Sequence, residues 1–255
     1  MRLALVRPPG STLANGLVTH IEKSSINVNL AYDQWNAYVE ALKANGWSIK
    51  TVPPLDSAPD AVFIEDAVVM FGDVAVKTNP GADERKSETL AIPSVFSELG
   101  IELRCLEKGT LDGGDVLKVG NTVYVGQGGR TSKEGIESLA KLLPEWKVVP
   151  VPLSKVLHLK SAVTALPDGT IIGFPPLVDD VSIFDKFLAM PEEAGSHVVL
   201  LGENNQDSKL LMSSSAPKSI KMLQGMGFDI VAVDISEFEK LEGCVTCLSV
   251  RIRGL

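Results

Sequence analysis

The chain has 255 residues, 45% hydrophobic and 22% charged, a composition that speaks against a disordered, collagenous or coiled-coil protein. Its 24 Lys and Arg against 32 Asp and Glu give a formal net charge of −8, which disfavours nucleic acid as a partner and mildly favours cationic ligands. Three cysteines do not make a disulfide framework, and no apolar run approaches the roughly 18–20 residues that cross a bilayer, so a cytoplasmic protein with reduced thiols and no membrane partner is expected.

The chain opens on an apolar segment, Leu3–Arg7, that reads as a strand and is too short for a signal peptide before Pro8-Pro9-Gly10 interrupts it. A polar stretch with Gly16, Asn15–Ile26, has the make-up of a lid. Helical periodicity follows over Val28–Asn45, with Leu30, Trp35, Tyr38, Val39 and Leu42 on one face and Gly46 as the stop. Strands are expected at Ser48–Val52, Ala61–Met70, Val74–Thr78, Ile101–Cys105, Asp115–Val119, Thr122–Gly126 and Lys147–Val151, with helices at Asp83–Leu99 and Ser132–Leu143. In the second half, strands are expected at Val163–Ala165, Thr170–Gly173, His197–Leu201, Leu210–Ser213, Asp229–Val233 and Val245–Ile252, with helices at Ser182–Leu188 and Ala216–Met226. The hairpins Val62–Thr78 and Asp115–Gly126 are each followed by a helix, as if one unit were repeated. No linker or composition break divides the chain, and residues 1–255 read as a single α/β domain.

Two Gly-containing segments fail as nucleotide motifs. Gly126-Gln127-Gly128-Gly129 lacks the dinucleotide spacing, and Gly113-Gly114 precedes a strand rather than a helix.

The residues with reactive chemistry are few. Cys247, in Gly243-Cys244-Val245-Thr246-Cys247-Leu248, lies at the expected start of the last strand, where a thiol can be exposed while its backbone stays fixed. Cys244 and Cys247 also form a C-x-x-C pair, without the helix of a redox motif or the second pair of a zinc site. Of the three histidines, His158 stands in the apolar run Val156-Leu157-His158-Leu159 and is the natural proton shuttle for such a thiol. Asp60, Glu65 and Asp66 flank an otherwise apolar segment, and Asp112 and Asp115 bracket a glycine pair. Buried carboxylates need a cation, and a planar guanidinium satisfies them in bidentate fashion. Arg85 and Arg130 stand in loops leading into helices.

Six segments carry a resemblance. Phe63-Ile64-Glu65-Asp66, Pro80-Gly81-Ala82-x-x-Arg85, Thr110-Leu111-Asp112-Gly113-Gly114-Asp115-Val116-Leu117, Gly129-Arg130-Thr131, Leu157-His158-Leu159-Lys160 and Val245-Thr246-Cys247-x-Ser249 resemble, in order, those of dimethylarginine dimethylaminohydrolases. The resemblance implies the fold of the guanidino-modifying (pentein) superfamily, a five-bladed α/β propeller of ββαβ units with pseudo-fivefold symmetry. It implies a hydrolase that converts methylated arginine to citrulline and an alkylamine through a covalent thiouronium, without metal or cofactor. The implied catalytic residues are Cys247 as nucleophile, His158 as general acid and base, and Asp112 beside the histidine. Asp60, Glu65 and Asp66 would bind the guanidinium, Arg85 and Arg130 the amino-acid end, and Leu17 and Leu241 would contact substrate through their carbonyls.

The implied partner is a small cationic guanidino amino acid, and a homodimer is left open. Asn79, Lys86 and Cys244 depart from the residues common in the family. Other readings give different products or sensitivities. An arginine deiminase would release ammonia and another guanidino or ureido hydrolase of the superfamily its own product, a non-catalytic ribosome-binding propeller would release nothing, and a thiol redox protein would depend on Cys244, whose replacement by Ala the hydrolase reading expects to be tolerated.

Overall fold

A strand with apolar residues on both parities needs cover on both faces. That pattern recurs here, with Leu3-Ala4-Leu5-Val6, Val68-Val69-Met70-Phe71 and Val123-Tyr124-Val125 buried throughout. The computed structural model, which describes residues 2–202 and 207–254, provides the cover by setting small sheets side by side. In chain order these are β1 (Arg2–Val6), α1 (Val28–Ala44) and β2 (Ser48–Thr51), then β3 (Val68–Phe71), β4 (Val74–Lys77), α2 (Ile92–Leu99) and β5 (Glu102–Cys105). The third unit is β6 (Val116–Val119), β7 (Thr122–Gln127), α3 (Lys133–Leu142) and β8 (Lys147–Pro152). The fourth is the one-turn α4 (Leu159–Ala162), β9 (Val163–Ala165), β10 (Ile171–Gly173) and β11 (Phe187–Ala189). The fifth is β12 (Val199–Leu200), β13 (Lys209–Ser213), α5 (Pro217–Gly225) and β14 (Asp229–Val233), followed by α6 (Ser236–Glu239) and β15 (Val250–Arg253).

Among the described residues there are five three-stranded sheets of one design: a middle strand antiparallel to the first and parallel to the third. In the first sheet the antiparallel strand is β15, paired from Arg2↔Arg253 to Leu5↔Val250, so the last strand of the sequence completes the sheet begun by the first. The result is the five-bladed α/β propeller. Period-2 alternation builds its seams. Leu3 and Leu5 of β1 face the cluster shared with the second blade, and Ala4 and Val6 the cluster shared with the fifth. Val68 and Met70 face one seam and Val69 and Phe71 the next, and Ile171 and Ile172 divide likewise, giving five apolar clusters for five seams. Residues of β3, β6, β9, β12 and β15 line a common chamber of about 530 Å³.

The helices follow local signals. The Asn27 side chain accepts from the Leu30 amide at 3.1 Å to start α1, which stops at Asn45 before Gly46 with φ +80°. Ser132 caps α3. Leu30, expected on the buried face of α1, is exposed at 38%, because Ala31 takes that position.

The structure corrects four further expectations. Only Val68–Phe71 of the strand expected at Ala61–Met70 is strand; Pro59–Val62 and Ile64–Ala67 are 3-10 turns. Ser182–Leu188 is not helix but a 3-10 turn at Val181–Ile183 and most of β11, because Phe187 and Leu188 pair with β10 and tertiary pairing overrides a weak helical period. The helix expected at Asp83–Leu99 is 3-10 over Asp83–Thr89, and α2 begins at Ile92 with Pro93 in its first turn. The last strand starts at Val250, so Cys247 lies in a turn ahead of it.

Candidate active site

Most of the chemistry sits in the segments that lead into the first strand of each blade. Asp60, Glu65 and Asp66 stand on the 3-10 turns before β3 and Asp112 and Asp115 on the turn before β6. His158 is the N-cap residue of α4, ahead of β9, and Cys247 is in the turn ahead of β15. Arg85 and Arg130 come instead from the segments that leave the middle strands β4 and β7. The pseudosymmetry therefore gathers residues remote in sequence at one end of the ring.

Consecutive residues in these segments separate to two places. Asp66, His158 and Cys247 line a small pocket, whereas Glu65, Lys160 and Thr246 line the central chamber. Leu17, Asp60, Phe63, Arg85, Arg130, Leu157, Leu241, Glu242 and Gly243 complete the pocket wall. Of the residues expected from sequence, Glu65 is turned away from the pocket. Its carboxylate lies 2.5 Å from the Lys160 ammonium and 3.2 Å from the Arg251 guanidinium, so it is placed to hold structure rather than a guanidinium ligand. Its backbone N–H donates to the Cys247 carbonyl at 3.2 Å, which fixes the turn carrying the thiol.

His158 is 4% exposed and lies between carboxylates. Its Nε2 donates to Asp112 Oδ2 at 2.9 Å, and its Nδ1 is 3.9 Å from Asp66 Oδ1. Burial opposes its charged form, but Asp66, the Asp112 hydrogen bond and the Asp115 charge outweigh it and push the imidazole up to about 9. At neutral pH His158 is thus a buried imidazolium. Asp112, fully buried, is held by the Gly81 amide at 2.8 Å and Arg130 Nη1 at 3.2 Å, so it orients the ring from behind. Asp115 accepts from the Leu159 amide at 2.9 Å and the Thr131 hydroxyl at 2.5 Å; burial raises its carboxyl to about 6. By accepting from the amide of Leu159, the first residue of α4 and the neighbour of His158, it fixes where His158 stands.

Asp66 accepts from Arg85 Nη1 at 2.6 Å and the Gly114 amide at 2.7 Å. Burial resists its ionisation, yet the charges of His158 and Arg85 prevail and hold the carboxyl below the usual carboxylate range. Burial raises the Asp60 carboxyl, which accepts from the Leu17 amide at 3.1 Å. Arg85 spends its donors inside the protein: Nε and Nη2 reach Glu88 at 2.9 and 2.7 Å, and Nη2 also reaches the Asp60 carbonyl. Arg130 makes one side-chain hydrogen bond among the described residues, to Asp112, and lines the pocket. Asp66, Asp112 and His158 converge within 4.8 Å, a grouping that elsewhere suits a divalent cation; here Arg85 and Arg130 occupy the two carboxylates and a proton the imidazole.

Cys247 is 7% exposed and Cys244 3%, with their sulfurs 3.3 Å apart and the Thr246 hydroxyl 3.2 Å from Cys244. The shared S–H···S bond favours thiolate on Cys244 and, with burial and the charges of Glu65 and Asp66, keeps the proton on Cys247.

The pocket encloses about 20 Å³, room for one water and not for an amino acid, so entry of substrate needs a wall to move. The segment after Gly16 forms one part of the wall, with Leu17 lining the pocket. It is tied down by Leu17 to Asp60 and by Glu242, whose carboxylate accepts from the Thr19 amide at 2.7 Å and the His20 amide at 2.9 Å. Glu242 holds a left-handed backbone, φ +59°, beside Leu241 and Gly243. Glu88 and Glu242 were not singled out from the sequence. The spacing of Arg85 and Glu88, three apart, was a readable sign of the first, whereas Glu242 acts across the fold and left none.

The sequence matches the family model described as arginine deiminase over residues 55–209. It is 56% identical to an N(G),N(G)-dimethylarginine dimethylaminohydrolase of Streptomyces coelicolor, the match covering 99% of this chain and 97% of the relative. The enzyme of that name from Pseudomonas aeruginosa is 30% identical over 97% of this chain and 98% of its own length. A solved structure of the Pseudomonas aeruginosa enzyme, a cysteine-to-serine mutant complexed with citrulline, superposes with a TM-score of 0.89 at 28% identity, covering 98% of each chain. Fold and site thus define a guanidino-modifying propeller with a thiol in its pocket. Within that class, the chain belongs to the dimethylarginine dimethylaminohydrolase family.

Proposed function

We propose that this protein hydrolyses Nω-methylated arginine to citrulline and dimethylamine or methylamine, with Cys247 as nucleophile, and that residues 1–255 act as one catalytic unit. The observation that carries the reading is the convergence, in one buried pocket, of a thiol, an imidazolium and the carboxylates of Asp60 and Asp66. Asp66 and Asp60 supply negative charge for the substrate cation, and Arg130 supplies donors for its α-carboxylate. The Cys244 hydrogen bond, burial and, last, the nearby carboxylates hold the proton on Cys247, and the arriving guanidinium adds positive charge that favours its thiolate. Cys247 Sγ attacks the guanidinium carbon to give a tetrahedral adduct. His158, already protonated, gives its proton to the departing alkylamine, whose C–N bond breaks to leave a thiouronium on Cys247. The neutral imidazole then takes a proton from water, which attacks the thiouronium carbon; the C–S bond breaks, citrulline leaves and the thiol is restored. Asp112 orients the imidazole throughout.

The test is citrulline and amine release from asymmetric dimethylarginine, monomethylarginine and arginine, beside Cys247→Ser and His158→Ala. Alkylamine plus citrulline from the methylated substrates, lost in Cys247→Ser and lowered ~10²–10⁴-fold in His158→Ala, is the expected result. Ammonia and citrulline from arginine alone would reassign the substrate within the superfamily, and normal turnover by Cys247→Ser would end the thiouronium mechanism.

A further inference from the structure

Behind the pocket wall, against Cys247, stands one more reactive group than hydrolysis uses. Cys244 Sγ lies 3.3 Å from Cys247 Sγ, and the Cys247 amide donates to the Cys244 carbonyl at 3.1 Å, so the two residues close one turn with both side chains on the same side. That turn is fixed. Gly243 packs so closely on Phe63 that an added Cβ would lie 2.4 Å from the ring, and Val245 and Leu248 are fully buried in the seam between the first and fifth blades. Two sulfurs held just outside bonding distance by rigid backbone, one of them lining a cavity, form a dithiol ready to close.

We propose that Cys244 and Cys247 are a reversible oxidation site that takes a small hydroperoxide and converts the nucleophile to an intramolecular disulfide. Peroxide enters the pocket and meets Cys247, which lines it. As the Cys247 thiol passes its proton along the S–H···S contact to Cys244, its sulfur attacks one peroxide oxygen, the O–O bond breaks, and Cys247 becomes a sulfenic acid while the other oxygen leaves as hydroxide. Cys244 Sγ then attacks the Cys247 sulfur, the S–O bond breaks, and the oxygen departs as hydroxide. The two thiol protons end on the two hydroxides, so a dithiol and hydrogen peroxide give a disulfide and two waters. The two sulfurs lose the two electrons the peroxide gains. The disulfide removes the attacking sulfur and, by forming faster than further oxidation, spares Cys247 the irreversible sulfinic and sulfonic acids. An external dithiol reverses it. The thiolate-favouring surroundings of Cys244 suit it to the second step.

The loss of turnover rests on Cys247 being the nucleophile, whereas formation of the disulfide does not, and mass reads the latter by itself. The experiment uses the whole chain carrying Cys105→Ser, because Cys105 is an exposed thiol on β5 that would cross-link molecules. This protein and its Cys244→Ala form are treated with hydrogen peroxide, followed by intact and peptide mass and by citrulline formation, then treated with dithiothreitol. With Cys244 present, the peptide spanning both cysteines should lose the mass of two hydrogens as turnover falls to background, and dithiothreitol should restore both. With Cys244→Ala, each rate read against that variant's own untreated rate, Cys247 should gain oxygen atoms and activity should not return. Disulfide formation with unchanged turnover would keep the site and overturn the role of Cys247 in hydrolysis. Oxygen addition at Cys247 with Cys244 present, without loss of two hydrogens and as irreversible as in Cys244→Ala, would overturn the proposal.

Discussion

At the scale of single residues, the protonation of His158 follows from its neighbours. Asp66, Asp112 and Asp115 together overcome burial and raise it to about 9, and the ionic partner of Asp66 is Arg85 rather than solvent. Two consequences can be measured. On the proposed mechanism the acid form of His158 donates to the leaving amine, so kcat/KM should decline as pH passes about 9, and Asp112→Asn should move that decline to lower pH while also reducing kcat. An unmoved alkaline limb would separate His158 from the proton transfer. Stability carries the same sign. The native imidazolium holds its proton more tightly than the unfolded one, whose pKa is about 6.5, so the folded chain keeps a proton that the unfolded chain releases between these values. This contribution is full below about pH 6.5 and disappears as pH rises through about 9, and denaturant midpoints across that window should fall in the parent chain and not in His158→Gln. At this scale the sequence was informative where chemistry is local. Cys247, His158, Asp66 and Asp112 announce themselves by residue type beside glycine or apolar segments. The direction of Glu65 did not, because adjacent residues on a 3-10 turn point apart and only the ring decides which end is the pocket.

At the scale of elements, the 3-10 turns that precede the first strands are held by backbone contact as much as by side chains. Gly113 is the clearest case: a Cβ there would sit 2.0 Å from the carbonyl oxygen of Glu65, the residue whose own amide holds the Cys247 carbonyl. Gly113→Ala is expected to cost about 1–3 kcal/mol and to lower activity with it, since the turn must shift to make room. Gly129→Ala, with open space around its Cβ and an ordinary backbone, should leave the denaturant midpoint nearly unchanged. Equal effects would show that the close approach at Gly113 carries no energy. Strands were legible because apolar runs bounded by turn residues leave few alternatives. In the fourth blade β9 and β10 were legible and β11 was not, because the crossover has no α-helix and the period of Ile183, Phe184, Phe187 and Leu188 also fits the stacking of Phe184 on Phe187 around β11. The repeat showed only in its second and third copies, where hairpin and helix are both long enough to read.

At the scale of the molecule, each blade presents one face to each neighbour, so no blade has a complete core alone. Unfolding should therefore be one transition. Trp47 lies in the seam of the first and fifth blades and Trp146 beside the seam of the second and third, so indole fluorescence and far-ultraviolet circular dichroism should report the same midpoint. Phe96→Ala, which empties part of a third seam, should lower that midpoint for both probes together by about 3–5 kcal/mol. Two separated transitions would divide the chain into independent units.

The pairing of β15 with β1 has a consequence for synthesis. The carboxylates, both arginines and the histidine of the pocket are all translated before Cys247, which emerges in the same stretch as the strand that shuts the ring. A nascent chain thus carries groups that attract a cation well before it carries a thiol able to attack one. On the proposed mechanism no unfinished polypeptide can turn over substrate, and competence arrives in a single late step together with closure.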